Sequence, residues 1–369
     1  MPPLFIVMLA VFLGAGYYVF RRLWQFMPAT AAGHVMLISL GVLATACMFV
    51  YFLLGDNAPA WLMSAVYKIG TSWLIILGYL LIVVLLTDLG RVTGLIPREW
   101  LRGNWAAFFS VVGVVAILMV AGNIVYNNKK RVELDIVLDK SIGYERPLRV
   151  VAISDLHLGY GIGKKEFIRW VGMLNKENPD IVLIAGDVID NNLRPLYEQD
   201  MAEVFSLFNA PLGIFAVPGN HEYISGIEKS ERFLHDAGIV FLRDSVVFVD
   251  DRFYVAGRDD VTNGERKTVP ELLSGTDSSV PVIMLDHQPY ELGQAAAGGA
   301  DIQISGHTHR GQVWPVSWIT DAIFEKSHGY LVKDRTHFYI SSGLGIWGGK
   351  FRIGTRSEYV IINISGKNN

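Results

Sequence analysis

Apolar and polar positions follow one pattern up to about residue 126 and a different one beyond it. In the first part apolar side chains run almost without a break. Four runs stand out: Pro3–Phe20, His34–Leu54, about Thr71–Leu86 (starting as early as Val66) and Trp105–Tyr126. A helix needs about 20 residues to cross the hydrocarbon core of a bilayer, and these runs approach or exceed that length. Tyr17, Tyr18, Trp24, Trp61, Trp73, Trp105 and Tyr126 sit near their ends, as interfacial aromatics do. One such run alone could be a buried helix of a soluble protein. Four in succession with almost no charge inside them predict a four-helix membrane region over residues 1–126. The first run lacks the positive leader segment of a cleaved signal peptide and is followed instead by Arg21 and Arg22.

Beyond Asn127 the periods shorten. Val132–Leu138 alternates, as a half-exposed strand does. Val150–Ile153 and Ile181–Ala185 are short continuous apolar runs, the mark of strands covered on both faces. Between them Phe167, Ile168, Val171 and Leu174 recur at helical spacing within Lys164–Asn178. Further helices are predicted at Tyr197–Phe208 and Glu228–Ala237. Further strands are predicted at Gly213–Val217, Ile239–Leu242, Val246–Val249, Phe253–Ala256, Val282–Leu285, Ile302–Ser305, Phe338–Ser341 and Glu358–Ile364. Alternating strands and helices followed by many strands predict an α/β domain over residues 148–369. Residues 127–147 form a linker and leading strand.

Composition adds limits. The chain is 51% hydrophobic with a net charge of −3, which speaks against a nucleic-acid partner. Its one cysteine, Cys47, lies in an apolar run, so any metal site in the second half must use nitrogen and oxygen donors. Lys and Arg in the short loops set orientation. Arg21 and Arg22 after the first run, and Arg91, Arg98 and Arg102 after the third, stand against Lys68, joined by Lys129, Lys130 and Arg131 after the fourth. The balance places those two loops in the cytoplasm and the C-terminal domain on the outer, periplasmic face.

Five of the nine histidines fall in short motifs: Asp155-Leu156-His157, Gly186-Asp187, Gly219-Asn220-His221-Glu222, Asp286-His287 and Gly306-His307-Thr308-His309. Asp155, Asp187 and Asn220 each lie just past a predicted buried strand, where ligands gather in open α/β sheets. Asp155 and His157 are close enough in one loop to reach a single cation. Asp187 has two oxygens and can bridge two cations. Asn220 offers a carbonyl oxygen, and His287, His307 and His309 offer ring nitrogens. Oxygen plus imidazole donors suit Mn, Fe, Zn or similar divalent ions. Each motif alone is a common loop or turn; their ordered recurrence on successive strand ends carries the signal.

In that order the motifs resemble those of the calcineurin-like metallophosphoesterases. Ser154–Gly159, Gly306–Gln312 and Ser342–Gly345 are most similar to a membrane-associated bacterial phosphodiesterase branch. The resemblance covers about Leu148–Ile364 and leaves out the four apolar runs. It implies a central β-sandwich flanked by helices. It implies a first cation held by Asp155, His157, Asp187 and His309, and a second by Asp187, Asn220, His287 and His307. His221 matches the histidine that acts near the leaving group. Branch members often carry glycine where this chain has Arg310.

The expected reaction is attack of a metal-activated hydroxide on phosphorus, with His221 donating a proton to the departing oxygen. The expected substrate is a phosphodiester or pyrophosphate, with a lipid-linked one favoured by the membrane region. A phosphomonoesterase acting on a protein or small molecule is the alternative, and a non-catalytic membrane receptor with a phosphoesterase fold is a third reading. A bacterial inner membrane is the expected location. Asp190, Glu222, Asp259, Asp260 and Asp286 are acids near the motifs, with Asp286 the expected partner of His287. Trp314, Trp318, Ile319 and Phe324 form either an apolar rim or a core segment. Arg352 and Arg356 either bind a second phosphate or head group or pair structurally with Glu358 or another acid.

Overall fold

The computed structural model describes residues 3–367; Met1, Pro2, Asn368 and Asn369, at the outer ends of the predicted domains, lie outside it. The chain divides into two compact units, Met1–Ile124 with Gly348–Lys350, and Val125–Trp347 with Phe351–Asn369.

The first unit is built on helices α1 (Pro3–Phe26), α2 (Ala31–Leu54) and α3 (Ala60–Val92), with most of α4 (Trp105–Asn127). All four are long and apolar enough to cross a membrane. Helix α3 extends well beyond the predicted run at both ends. At roughly 1.5 Å per residue it is about 50 Å long, against a hydrocarbon core of about 30 Å. Lys68 and Arg91, which the sequence places in loops, are helical, as is Asp88. Asp88 is tolerated because Arg22 and Tyr18 on α1 bond its carboxylate and Arg91 Nε lies 3.4 Å away. Arg21 and Arg22 are likewise helical rather than in a loop, because α1 runs on to Phe26.

Among the described residues the second unit contains twelve strands: β1 (Lys130–Leu138), β2 (Leu148–Ile153), β3 (Ile181–Ile184), β4 (Ile214–Ala216), β5 (Val240–Phe241), β6 (Ser245–Val249), β7 (Phe253–Gly257), β8 (Val282–Leu285), β9 (Ile302–Ser305), β10 (Gly329–Lys333), β11 (Thr336–Ile340) and β12 (Glu358–Gly366). They form two six-stranded sheets, β1-β12-β2-β3-β4-β5 and β10-β11-β9-β8-β7-β6. Strands β2 to β5 are mutually parallel, as are β7, β8, β9 and β11.

Successive side chains on a strand face opposite ways, and here both faces are covered. In β2, Val150 and Ala152 enter a core shared with Ile283, Leu285, Ile302 and Ile304 of the second sheet. Val151 and Ile153 face a second core with Phe167, Trp170 and Leu174 of the helix Lys164–Asn175. On the far side of the second sheet, Met284, Phe338 and Ile340 meet Leu272 and Leu292 from short helices. The result is a sandwich with helices on both outer faces, which accounts for the continuous apolar runs.

Three expectations are corrected. The helix predicted over Tyr197–Phe208 is two short helices, Arg194–Glu198 and Ala202–Phe205, broken where Asp200 takes a positive φ of 47°. The predicted strand Ile239–Leu242 shortens to Val240–Phe241. Strand β10 and the helix Val316–Ile323 were not predicted.

Candidate metal centre

The motif residues leave the C-terminal ends of parallel strands that lie side by side. Asp155 and His157 follow β2, and Asp187 follows β3. Asn220 and His221 open the short helix Asn220–Ile224 after β4. His287 follows β8, and His307 and His309 follow β9. The loops are tied to one another. The Asp155 N–H donates to Gly186 O and the His157 N–H to Asp187 O, both at 3.0 Å. The His307 N–H donates to Asp155 Oδ1 at 3.0 Å and joins the second sheet's loop to the first sheet's.

These loops are strained. Asp155, His157, Asp187, His307 and His309 all have positive φ, between 46° and 70°. That conformation costs a non-glycine residue on the order of 1–3 kcal/mol. It persists where the surroundings over-determine it, as the loop-to-loop hydrogen bonds do here. Gly219 meets a different demand: a Cβ added there would lie 2.1 Å from Asp187 Oδ1.

The side chains gather into overlapping groups. Asp155, His157 and His309 form one, Asp187, His287 and His307 another, and His157, Asp187 and His221 a third. In the first, the Nε2 atoms of His157 and His309 lie 3.1 Å apart, and His309 Nε2 is 3.5 Å from Asp155 Oδ1. In the second, His287 Nε2 is 3.3 Å from Asp187 Oδ2. The same Oδ2 atom is 3.7 Å from His157 Nε2, so one carboxylate oxygen faces both groups. Asn220 joins the second group through Oδ1, 3.0 Å from His307 Nδ1.

The donor set fits divalent cations. Two imidazole nitrogens 3.1 Å apart between buried carboxylates are arranged to face a common positive charge. Electrostatics agree. Burial, then the neighbouring His287, pushes His307 down to about 4. Burial, then His157 and Arg352, holds His309 well below its ordinary value, so both rings are neutral donors at pH 7. His287 goes the other way: burial lowers its pKa, but Asp187 and Asp155 outweigh that and raise it well above the usual range. A cation beside Asp187 would displace that proton.

Around the groups sits a supporting layer. Glu222 is fully buried and accepts from the backbone N–H of Gly219 (2.7 Å), Ile189 (2.9 Å) and Asp187 (3.0 Å). Burial and the Asp187 charge push its carboxyl up to about 7, against the pull of the Ile189 and Gly219 donors and of His287. Asp190 Oδ1 lies 3.6 Å from Nδ1 of both His157 and His221, and its carbonyl accepts from His221 Nδ1 at 2.9 Å. Burial, then His157, lowers the His221 pKa.

Two expectations need correction here. Asp286 does not hold His287; it faces Arg258 (3.2 Å) and Arg266 (3.3 Å), while His287 Nδ1 donates to Ala185 O at 2.7 Å. Arg352 is structural but does not pair with Glu358. It is fully buried and donates to the carbonyls of His309 (2.7 Å), Ser342 (2.5 Å) and Gly345 (3.1 Å). Glu358 instead accepts from His328 Nε2 at 3.0 Å, a pair that its 30-residue separation hid from sequence reading. Asp259 is held by Tyr223 and Asn263, and Asp260 by Thr262.

The segment after the last motif forms the helix Val316–Ile323. Trp318, Ile319 and Ile323 on it are 65%, 57% and 65% exposed, so this is an apolar surface rather than core. Phe324, just beyond, stacks on Tyr290 at 5.2 Å.

Two sheets with buried aspartates and histidines on their adjoining strand ends define a class of hydrolytic metal-site fold. Residues 148–311 match the calcineurin-like phosphoesterase family model. An uncharacterized metallophosphoesterase of Aquifex aeolicus is 31% identical over 69% of this chain and 99% of its own length. The chain belongs to the calcineurin-like metallophosphoesterases. A "transmembrane protein with metallophosphoesterase domain" of Danio rerio is 29% identical over 88% of this chain and 78% of its own length, a match that must run into the apolar helices. An uncharacterized metallophosphoesterase of Helicobacter pylori J99 is 31% identical over 64% of both chains. This is a membrane protein with a metallophosphoesterase domain and a His/Asp site suited to metal.

Proposed function

We propose that this chain is a membrane-anchored hydrolase of phosphodiesters or pyrophosphates that works with two divalent cations such as Mn, Fe or Zn. One cation would be held by Asp155, His157, Asp187 and His309, the other by Asp187, Asn220, His287 and His307. The observation that carries this reading is the single Asp187 oxygen facing His157 on one side and His287 on the other. Divalent cations bound there supply Lewis acidity, activating water and offsetting charge on the phosphoryl oxygens.

The chain's own residues do the rest. Asp187 separates the two groups and keeps its charge through His287. Its N–H and that of Gly219 are pinned by Glu222, and its Oδ1 accepts the His221 N–H at 3.0 Å, which holds the carboxylate in place. His221 is assigned to the leaving-group side. Its Nδ1 is fixed by the Asp190 carbonyl, which leaves Nε2 to hold and deliver a proton. The negative charge of a bound phosphoester opposes the burial that lowers its pKa. The exposed apolar helix Val316–Ile323, beginning seven residues after His309, favours a lipid-linked substrate. We place the phosphoesterase domain, residues 148–369, on the outer face of a bacterial inner membrane.

Purified full-length protein should contain divalent metal and hydrolyse bis(p-nitrophenyl) phosphate faster than p-nitrophenyl phosphate. Asp187→Asn should lose both metal and activity, and unchanged activity would overturn the reading. A reporter fused after Asn369 tests the orientation.

A further inference from the structure

Most arginines in the second unit have an acidic partner. Arg131 and Arg149 meet Glu177, Arg146 meets Asp180, Arg243 meets Glu231, and Arg258 and Arg266 meet Asp286. A pocket of about 390 Å³ breaks this pattern. Its wall carries Lys130, Arg310, Arg352 and Arg356, with His328 and a single acid, Glu358. Glu358 Oε1 is already occupied by His328 Nε2, Tyr339 OH and Ser342 N–H, at 3.0, 3.0 and 3.1 Å. Arg352 is turned to backbone carbonyls and meets no anion. Among the described residues Lys130, Arg310 and Arg356 have no ion pair and no side-chain hydrogen bond. Three unpaired cations and a buried guanidinium thus face a single carboxylate around one cavity, an excess of positive charge that an entering anion would offset.

We infer that this pocket is a second anion subsite, taking a phosphate-bearing group through Lys130, Arg310 and Arg356. Guanidinium and ammonium donors converging from separate segments suit a phosphate's several oxygens. The subsite shares a segment with the candidate metal centre, since Arg310 follows His309 and Arg352 Nη1 bonds the His309 carbonyl at 2.7 Å. Two sources could supply the phosphate. A substrate with two phosphoryl groups would present one to each site, which rests on the phosphoester reading above. A phospholipid head group is the other. Lys130 is three residues past the end of α4, a reach of at most about 11 Å, so chain connectivity keeps it close to the end of a candidate span.

The test uses the full-length chain in phosphatidylcholine nanodiscs with divalent cations removed by chelation, so it is independent of hydrolysis and of the metal-site assignment. Inorganic phosphate is titrated by calorimetry. The wild type should bind it with salt-sensitive affinity. The exposed double variant Lys130→Ala/Arg356→Ala, and separately Arg310→Gly, should weaken binding on the order of tenfold, with thermal midpoints unchanged. Repeating the titration in nanodiscs containing phosphatidylglycerol separates the sources. Weaker phosphate binding there, lost in the double variant, identifies a lipid head group; unchanged binding identifies a phosphoryl group of the substrate. Equal phosphate affinity in the wild type and both variants would overturn the subsite. Lost diesterase activity in Asp187→Asn bears only on the metal-centre reading.

Discussion

Nδ1 of His287 donates a hydrogen bond to the carbonyl of Ala185 at 2.7 Å, across the two sheets. His287 follows β8 of the second sheet and Ala185 follows β3 of the first. The bond fixes the ring's tautomer and leaves Nε2 facing Asp187. His287→Ala should therefore lower metal content and hydrolysis while Asp155, His157 and His309 keep a residual site. Metal analysis of the purified variant checks this, and full metal occupancy would count against His287 as a ligand.

Glu222 is fully buried and holds three backbone amides, including that of Asp187. Glu222→Gln replaces one acceptor oxygen by an NH₂ that must face a donor. A buried unpaired amide costs about 1–3 kcal/mol. Loss of such a support lowers metal affinity by roughly 10–100-fold. Metal titration and thermal melting of the variant should show both effects together. A variant that melts early but binds metal normally would assign Glu222 to folding alone.

The sheets and the clustering of the motif residues are legible because their signals are local. Val150–Ile153 and Ile181–Ala185 are apolar at every position since two cores cover them, and Asp155 and Asp187 stand where those runs stop. What stayed hidden depends on contacts distant in sequence. Nothing near His287 marks Ala185 as its partner, and adjacency made Asp286 the natural choice. Arg352 reads as an anion binder or as the partner of an acid, and only the fold shows the carbonyls of His309, Ser342 and Gly345 around it. Helix α3 continues past its apolar run through Asp88 to Val92, which the local pattern does not show. Only the fold supplies Arg22 and Tyr18 to Asp88.

Asp180 gives a stability prediction remote from the metal groups. Its carboxylate accepts from Arg146 Nη1 at 2.7 Å and from the Arg149 N–H at 2.8 Å. Burial raises its pKa, but these partners outweigh burial and bring it below the ordinary 3.8. A depressed folded-state pKa stabilises the fold above the unfolded value, and that contribution is lost as pH falls through the folded one. Arg146 is 67% exposed, so solvent screens its share. Asp180→Asn should cost on the order of 1–2 kcal/mol near neutrality. The gap from wild type should narrow as pH drops below 3.8. Thermal melts of the full chain at several pH values check the sign.

The helix Val316–Ile323 separates a lipid substrate from a soluble one. Trp318, Ile319 and Ile323 are largely exposed, so polar replacements there remove little folding energy. If the helix meets lipid during turnover, each side chain it inserts contributes up to about 1.5–3 kcal/mol. Trp318→Gln/Ile319→Gln should then reduce kcat/KM on a vesicle-borne phosphodiester lipid by tenfold or more, as roughly 1.4 kcal/mol per decade implies. Hydrolysis of bis(p-nitrophenyl) phosphate in detergent, which needs no lipid contact, should hold steady. Equal losses on both substrates would mean that the helix supports the site itself. No loss on either would remove the lipid argument for this surface.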